Sequence, residues 1–230
     1  MQSSKLGART WLIAIYLLSA SPKGVSSVSL AKHLGITQPT AWHLGHRIRQ
    51  AWVDGDDPLM VGPVEVDETY VGGKDRNRPS GERGGQRGPT GKAPVMGAAD
   101  RHTGSVSLQA VDKVDGSTAV GFIAGRVCYG GVVFTDEARV YQRLRRFGYR
   151  HGRVAHSKGE YRRGMASTNR IEGVWALLKR SYVGTYHWMS QKHLHRYCAE
   201  VENRVNKTTS LTHTYDRLIG RQLRYADLVA

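Results

Sequence analysis

Val64-Glu65-Val66-Asp67-Glu68-Thr69-Tyr70-Val71 is the stretch on which the fold turns. Its β-branched residues recur every second position, which predicts a strand. Val64, Val66 and Glu68 share one face, and Glu65, Asp67 and Thr69 the other. A second apolar run, Gly131-Val132-Val133-Phe134-Thr135, ends on Asp136. The segment Asn169-Arg170-Ile171-Glu172-Gly173-Val174-Trp175 reads as a helix that carries Glu172. Two acids at the ends of buried strands and a third on a helix are a means of gathering distant carboxylates at one point. Lys179 follows Glu172 by seven residues, two helical turns, so the two share a face.

Working outward, residues 94–99 and 105–111 read as the next two strands, joined by a turn at 101–104. Residues 115–127 form a helix candidate with Val120, Phe122, Ile123 and Val127 inward. After the strand that delivers Asp136, residues 137–147 read as an amphipathic basic helix and residues 153–156 as a short strand. The order is three strands, helix, strand, helix, strand, helix. That is the order of an α/β, ribonuclease-H-like domain: a mixed five-stranded sheet with flanking helices, in which the first and fourth strands are neighbours.

Ahead of it lies a small all-α unit. Residues 5–20 have helical spacing of Leu6, Trp11, Leu12, Ile15 and Leu18. Ser26 or Ser27 caps a short helix over 28–34, and Gly35 supplies a left-handed turn. Thr37 then caps a helix from about Gln38 to Trp52, with Pro39 tolerated in its first turn. Two helices around a glycine turn outline a helix-turn-helix. Its second helix would present Gln38, Thr40, His43, His46 and Arg47 to a DNA groove and turn Ala41, Leu44 and Ile48 inward. The breaker-rich Asp54-Gly55-Asp56-Asp57-Pro58 sets the expected boundary, giving a DNA-binding domain over 1–57 and a catalytic domain over 58–230.

Charge points to the partner. With 34 Lys and Arg against 19 Asp and Glu, the formal net charge is +15, which suits a polyanion. Residues 72–92 hold six basic side chains, including Lys74, Arg76, Arg83, Arg87 and Lys92, against two acids. With almost nothing apolar to bury, this loop is expected to be mobile in the free chain and to meet phosphates. Residues 139–163 hold nine Lys and Arg, Arg143 and Arg146 among them, against Glu160 alone. Cys128 and Cys198 are far apart and form no CxxC pair, which excludes a zinc ribbon or a disulfide framework within these residues. The most apolar early stretch, residues 11–20, is too short to span a bilayer. The expectation is a cytoplasmic protein with no membrane partner.

Carboxylates so placed suit phosphodiester chemistry. Three can hold two Mg²⁺ ions, with Mn²⁺ as a substitute, and leave coordination positions for water and phosphate. Asp67 is the expected bridging ligand, Asp136 and Glu172 each hold one ion, and Lys179 contacts a DNA phosphate.

Val66-Asp67-Glu68-Thr69-Tyr70-Val71-Gly72-Gly73-Lys74 resembles the first-strand signature of bacterial insertion-sequence transposases of the 1595 family. His156-Ser157-Lys158-Gly159-Glu160-Tyr161 is similar to their segment before the last catalytic helix. Asn169 through Trp175, Leu178-Lys179-Arg180, Gly184-Thr185-Tyr186-His187 and Lys192-His193-Leu194-His195-Arg196-Tyr197 resemble their C-terminal block. The likeness spans about residues 60–206. It implies an Asp-Asp-Glu transposase that acts on its element's terminal inverted repeats and on target DNA, as a homo-oligomer on DNA, in a bacterial cytoplasm. It implies Asp67 and Asp136 as the first two catalytic acids. Asn, His or Glu takes the third role in that family, so Asn169 competes with Glu172. The resemblance also implies a zinc ribbon ahead of the helix-turn-helix, and no such ribbon stands in these residues. The other readings are a nuclease on the same fold, and a catalytically silent or truncated transposase that acts as a DNA-binding regulator.

Overall fold

The computed structural model describes residues 4–53, 58–73, 91–154 and 168–206, with Thr214 and Leu218. Three helices come first: α1 (Ala8–Ala20), α2 (Ser27–Leu34) and α3 (Gln38–Val53). Ser26 caps α2, its hydroxyl accepting from the Ser29 amide at 3.1 Å. Gly35 ends that helix at φ 63°, a left-handed conformation that glycine adopts without steric cost. Trp11, Ile15, Leu18, Leu30, Leu44 and Ile48 close a core between the three helices.

The sheet is built from β1 (Val64–Val71), β2 (Ala93–Asp100), β3 (Val106–Ala110), β4 (Val132–Thr135) and β5 (Arg150–Arg153). Its order is β3-β2-β1-β4-β5. The first three strands form an antiparallel meander, and β4 and β5 join parallel to β1. Helix α4 (Gly116–Ala124) supplies the crossover before β4, capped by Asp115, which accepts from the Thr118 amide at 2.8 Å. On its face of the sheet Val64, Val66, Met96, Ala98, Phe122 and Ile123 form one core. Helices α5 (Asn169–Ser181) and α6 (Leu194–Asn206) cover the other face, where Val95, Val106, Ile171, Trp175, Leu178 and Val201 form the second. This is the ribonuclease-H-like arrangement expected from the element order. Strand β2, apolar on both sides, is buried over seven of its eight residues because both faces are covered.

Two expectations fail. Residues 137–147 form no α-helix but two short 3₁₀ turns, Arg139–Tyr141 and Leu144–Phe147. Tyr141 and Leu144 are both fully buried against α4. They stand three residues apart, which suits a three-residue turn better than 3.6. Gly148, at φ 86°, then stops the segment. The last strand consequently begins at Arg150, where parallel pairing to Val132 starts, and not at Arg153. Its expected end, His156, lies outside the described residues.

The helical unit packs on the sheet domain through α6. Ala199 and Leu218 join the core of α1–α3, and Trp52 Nε1 donates to Thr214 Oγ1 at 3.0 Å. Helix α6 also closes the free edge of β3. Asn206 Oδ1 accepts from the Val106 amide at 2.7 Å, its Nδ2 donates to the Val106 carbonyl at 2.8 Å, and Glu202 accepts from the Leu108 amide. Side chains thus occupy backbone groups that would otherwise invite another strand. Among the described residues no helix is long and apolar enough to cross a membrane.

Candidate active site

Parallel pairing sets Glu65 beside Phe134. Asp67 lies two residues further along β1 on the face covered by α5, and Asp136, just past the end of β4, is near enough for its charge to act on Asp67. Asp67 Oδ2 accepts from Trp175 Nε1 at 2.9 Å. Asp136 Oδ1 accepts from the Ala138 amide at 2.9 Å. Glu172, exposed on the first turn of α5, accepts from Thr168 Oγ1 at 2.8 Å. Burial pushes the Asp67 carboxyl above the ordinary aspartate value. The negative charges of Asp136 and Glu172 push it the same way, against the indole hydrogen bond. The site therefore gathers negative charge in a half-buried place, the condition under which a cation binds favourably. The acids are neighbours in field. Among the described residues, however, no three Asp, Glu, His or Cys side chains converge as one metal-holding group.

Three residues that sequence reasoning left without a role set this geometry. Glu65 is 2% exposed. Its Oε2 accepts from the Arg170 and Ile171 amides at 2.8 and 3.1 Å, and its Oε1 from Arg101 Nε at 2.8 Å. A strand carboxylate thus caps the helix that bears Glu172 and places an anion at its N-terminus. The strand alternation already put Glu65 on the face of Asp67, and that was the available signal. Gly97, opposite Asp67 in the pairing of β1 with β2, leaves room for an indole. A Cβ there would lie 2.5 Å from Trp175. Glu68, on the opposite face, accepts from the Tyr141 hydroxyl. Its carboxyl is raised by burial and by Asp136 and Asp67.

The remaining expected residues are scattered. Asn169, Lys179 and Arg180 are exposed on α5, and Arg143 and Arg146 on the 3₁₀ segment; Lys92 is half-buried. Lys74, Arg76, Arg83 and Arg87 lie outside the described residues, as does the segment from His156 to Tyr161. On α3, Gln38 is exposed and donates to Ser27 Oγ at 2.7 Å. Thr40 pairs with Thr37 at 2.8 Å, and the His43 ring meets Trp42 edge-on. Arg47 departs from expectation, since its guanidinium lies 4.9 Å from the Trp11 ring centroid and burial lowers its pKa. His46 departs further. At 1% exposure it packs against Trp42, His193 and Tyr197 and presents nothing to a groove. The aromatic residues of α6 and its approach, invisible to a local reading of α3, draw it in.

The strand order and the covering helices are those of a ribonuclease-H-like domain. Residues 60–206 match the ISXO2-like transposase domain, and the chain belongs to that transposase family. A Halobacterium salinarum protein, described as an uncharacterised protein in transposable element ISH50, is 28% identical over 189 residues. The alignment covers 78% of this chain and 63% of that one, so the chain spans less than two thirds of its relative. Among solved structures, a chain of the simian T-cell lymphotropic virus intasome in complex with PP2A regulatory subunit B56 gamma superposes with TM-score 0.41. It is 16% identical, covering 89% of this chain and 76% of that one. The HTLV-2 integrase catalytic core domain in complex with magnesium gives TM-score 0.40 at 11% identity, covering 71% and 98%. Those superpositions are loose, and the strand order defines the fold without them.

Proposed function

We propose that this protein is a DNA transposase that cleaves the ends of its own insertion element and joins them to target DNA in a metal-dependent reaction. The observation that carries this is Asp67, midway along β1 under the helix that bears Glu172, within the field of Asp136 just past the end of β4, in a chain of transposase family. Asp67, Asp136 and Glu172 would hold the divalent cations, Mg²⁺ or Mn²⁺. Bound there, the ions supply neutralisation of developing phosphate charge and a more acidic water or hydroxyl. The Glu172 charge felt at Asp67 favours Glu172 over Asn169 as the third residue. Trp175 orients Asp67, and Glu65 ties the N-terminus of α5 to β1. Lys179 and Arg180, further along α5, would bind phosphates, as would Arg143, Arg146 and the basic loop. Residues 1–57 would bind the terminal repeats and residues 58–230 would do the chemistry, as a homo-oligomer on double-stranded DNA in the bacterial cytoplasm.

The test is cleavage and strand transfer on a labelled duplex carrying the DNA that flanks the gene, with Mg²⁺ or Mn²⁺. Asp67→Ala and Asp136→Ala should fall to background while duplex affinity stays within about twofold, because phosphate contacts dominate affinity. Glu172→Gln should be equally inactive and Asn169→Ala should retain activity. Full activity in either aspartate variant sinks the assignment. The absence of a three-ligand group among the described residues favours one other reading, a silent transposase that regulates by binding. Wild type that binds the ends and leaves them intact would favour it.

A further inference from the structure

Between the helix-turn-helix and the segment that follows α5 runs a groove of about 410 Å³. Val28, Trp42 and Gly45 form one wall; Thr185, His187 and Trp188 form the other. The second wall has an unusual backbone. Tyr182–Tyr186 is a single turn of π-helix. His187 donates its amide to the Tyr182 carbonyl at 2.7 Å, and Trp188 donates to the Tyr186 carbonyl at 2.6 Å. His187, at φ 58°, is the one non-glycine residue with positive φ among the described residues. A π-turn followed by a tight turn centred on a residue with a Cβ is strained, and such strain persists where its surroundings hold it.

Those surroundings are firm. The Tyr186 hydroxyl donates to Glu200 at 2.6 Å and accepts from Arg49 at 3.2 Å. Met189 is buried on the other side. Between these anchors the chain turns Trp188 outward, leaving it 69% exposed, with Val183 at 68% and Val28 of the facing wall at 54%. An indole held over water on a rigid base is a surface made for a flat apolar partner.

Charge identifies the partner. Residues 1–53, which supply the first wall, contain no Asp or Glu, and neither do residues 173–199, which supply the second. The carboxylate beneath the groove, Glu200, is already engaged by Arg49 and Arg204 at 2.6 Å each. The partner is therefore an anion that carries flat apolar rings, and Lys179 and Arg180, exposed in the last turn of α5, immediately precede the segment that forms the second wall. We propose that the groove binds a nucleobase unpaired from the bound duplex, stacked on Trp188. This rests on the reading of the protein as an enzyme of DNA ends.

The test is a mismatch scan. Duplexes carrying the gene's flanking end, each with one mismatch among the terminal ten pairs, are titrated with wild type, Trp188→Ala and Trp188→Phe. A protein that must unpair a base binds pre-unpaired DNA more tightly, and one stacked base is worth about tenfold in affinity. Wild type should prefer one mismatch position by about tenfold. An abasic site there should lose the gain, Trp188→Ala should abolish the preference, and Trp188→Phe should keep most of it. Since Trp188 is exposed, the variants should melt like wild type. A flat scan for wild type, or an unchanged preference in Trp188→Ala, overturns the proposal. So does a Trp188→Ala variant that keeps its preference and changes only its oligomeric state, which would make the groove a contact between copies. Failure to cleave with the mismatch preference intact would instead defeat only the enzymatic reading.

Discussion

Glu200 on α6 and Asp67 on β1 are both carboxylates withdrawn from water, and their surroundings differ. Glu200 is 2% exposed and receives Arg49 Nε, an Arg204 guanidinium nitrogen and the Tyr186 hydroxyl, each at 2.6 Å. Among the described residues Asp67 receives neutral donors, the Trp175 indole and the Glu68 amide, while Asp136 and Glu172 add negative charge. Arg49 and Arg204 bring counter-charge to the first, whereas Asp136 and Glu172 add further negative charge at the second. A carboxylate with internal cations holds two parts of the chain together. A carboxylate crowded by other acids is left for a cation from outside.

Removing Glu200 should be the most damaging way to test this contrast. Glu200→Ala would strand the buried guanidinium of Arg49, at a cost of about 3–5 kcal/mol, read as a lower midpoint in urea. A loss below about 1 kcal/mol would mean the junction does not depend on the pair. At the acidic site the expected sign reverses. Asp67→Asn should leave stability in chelator unchanged or slightly higher, since it removes a charge that burial and its neighbours disfavour. Mg²⁺ at a hundredfold excess over its Kd should stabilise wild type by about 2.7 kcal/mol and leave Asp67→Asn unaffected. Equal stabilisation of both would place the ion elsewhere.

A further test is a difference in pH response. Burial, then Arg49, holds His46 down from 6.5 to about 2, and burial and Arg196 hold His193 at about 4. Below pH 6.5 the unfolded chain takes up protons that the fold refuses, so stability should fall on acidification, by at most about 1.4 kcal/mol per pH unit for each histidine. Asp67 has the opposite sign. Its raised folded value makes the native state the better proton binder above the ordinary aspartate value, so its share of stability falls as pH rises. His46→Phe should flatten the acid limb, and an unchanged limb would show that the junction is not its source.

Local pattern carried much of this structure. Alternation in Val64–Val71 placed Asp67 and Glu65 on one face, and a serine cap at 26 or 27 and the turn at Gly35 stood where their chemistry puts them. Pattern failed where distant residues decide. Basic residues around Tyr141 and Leu144 read as an amphipathic helix, yet both apolar side chains go to one core and tighten the turn to 3₁₀. His46 and Arg47 read as groove residues because nothing near them in sequence announces His193, Tyr197 or Trp11.

The sequence by itself determined the first four strands, helices α1 to α5 and the family, because periodicity, caps and short motifs are local properties of the chain. Only the tertiary structure decided that Glu65 caps α5, that Gly97 makes room for the indole on Asp67, that Glu200 locks α3 to α6, and that Trp188 stands over a groove. Each of these is a meeting of residues far apart in sequence, and its energy depends on burial and distance, which exist only once the chain has folded.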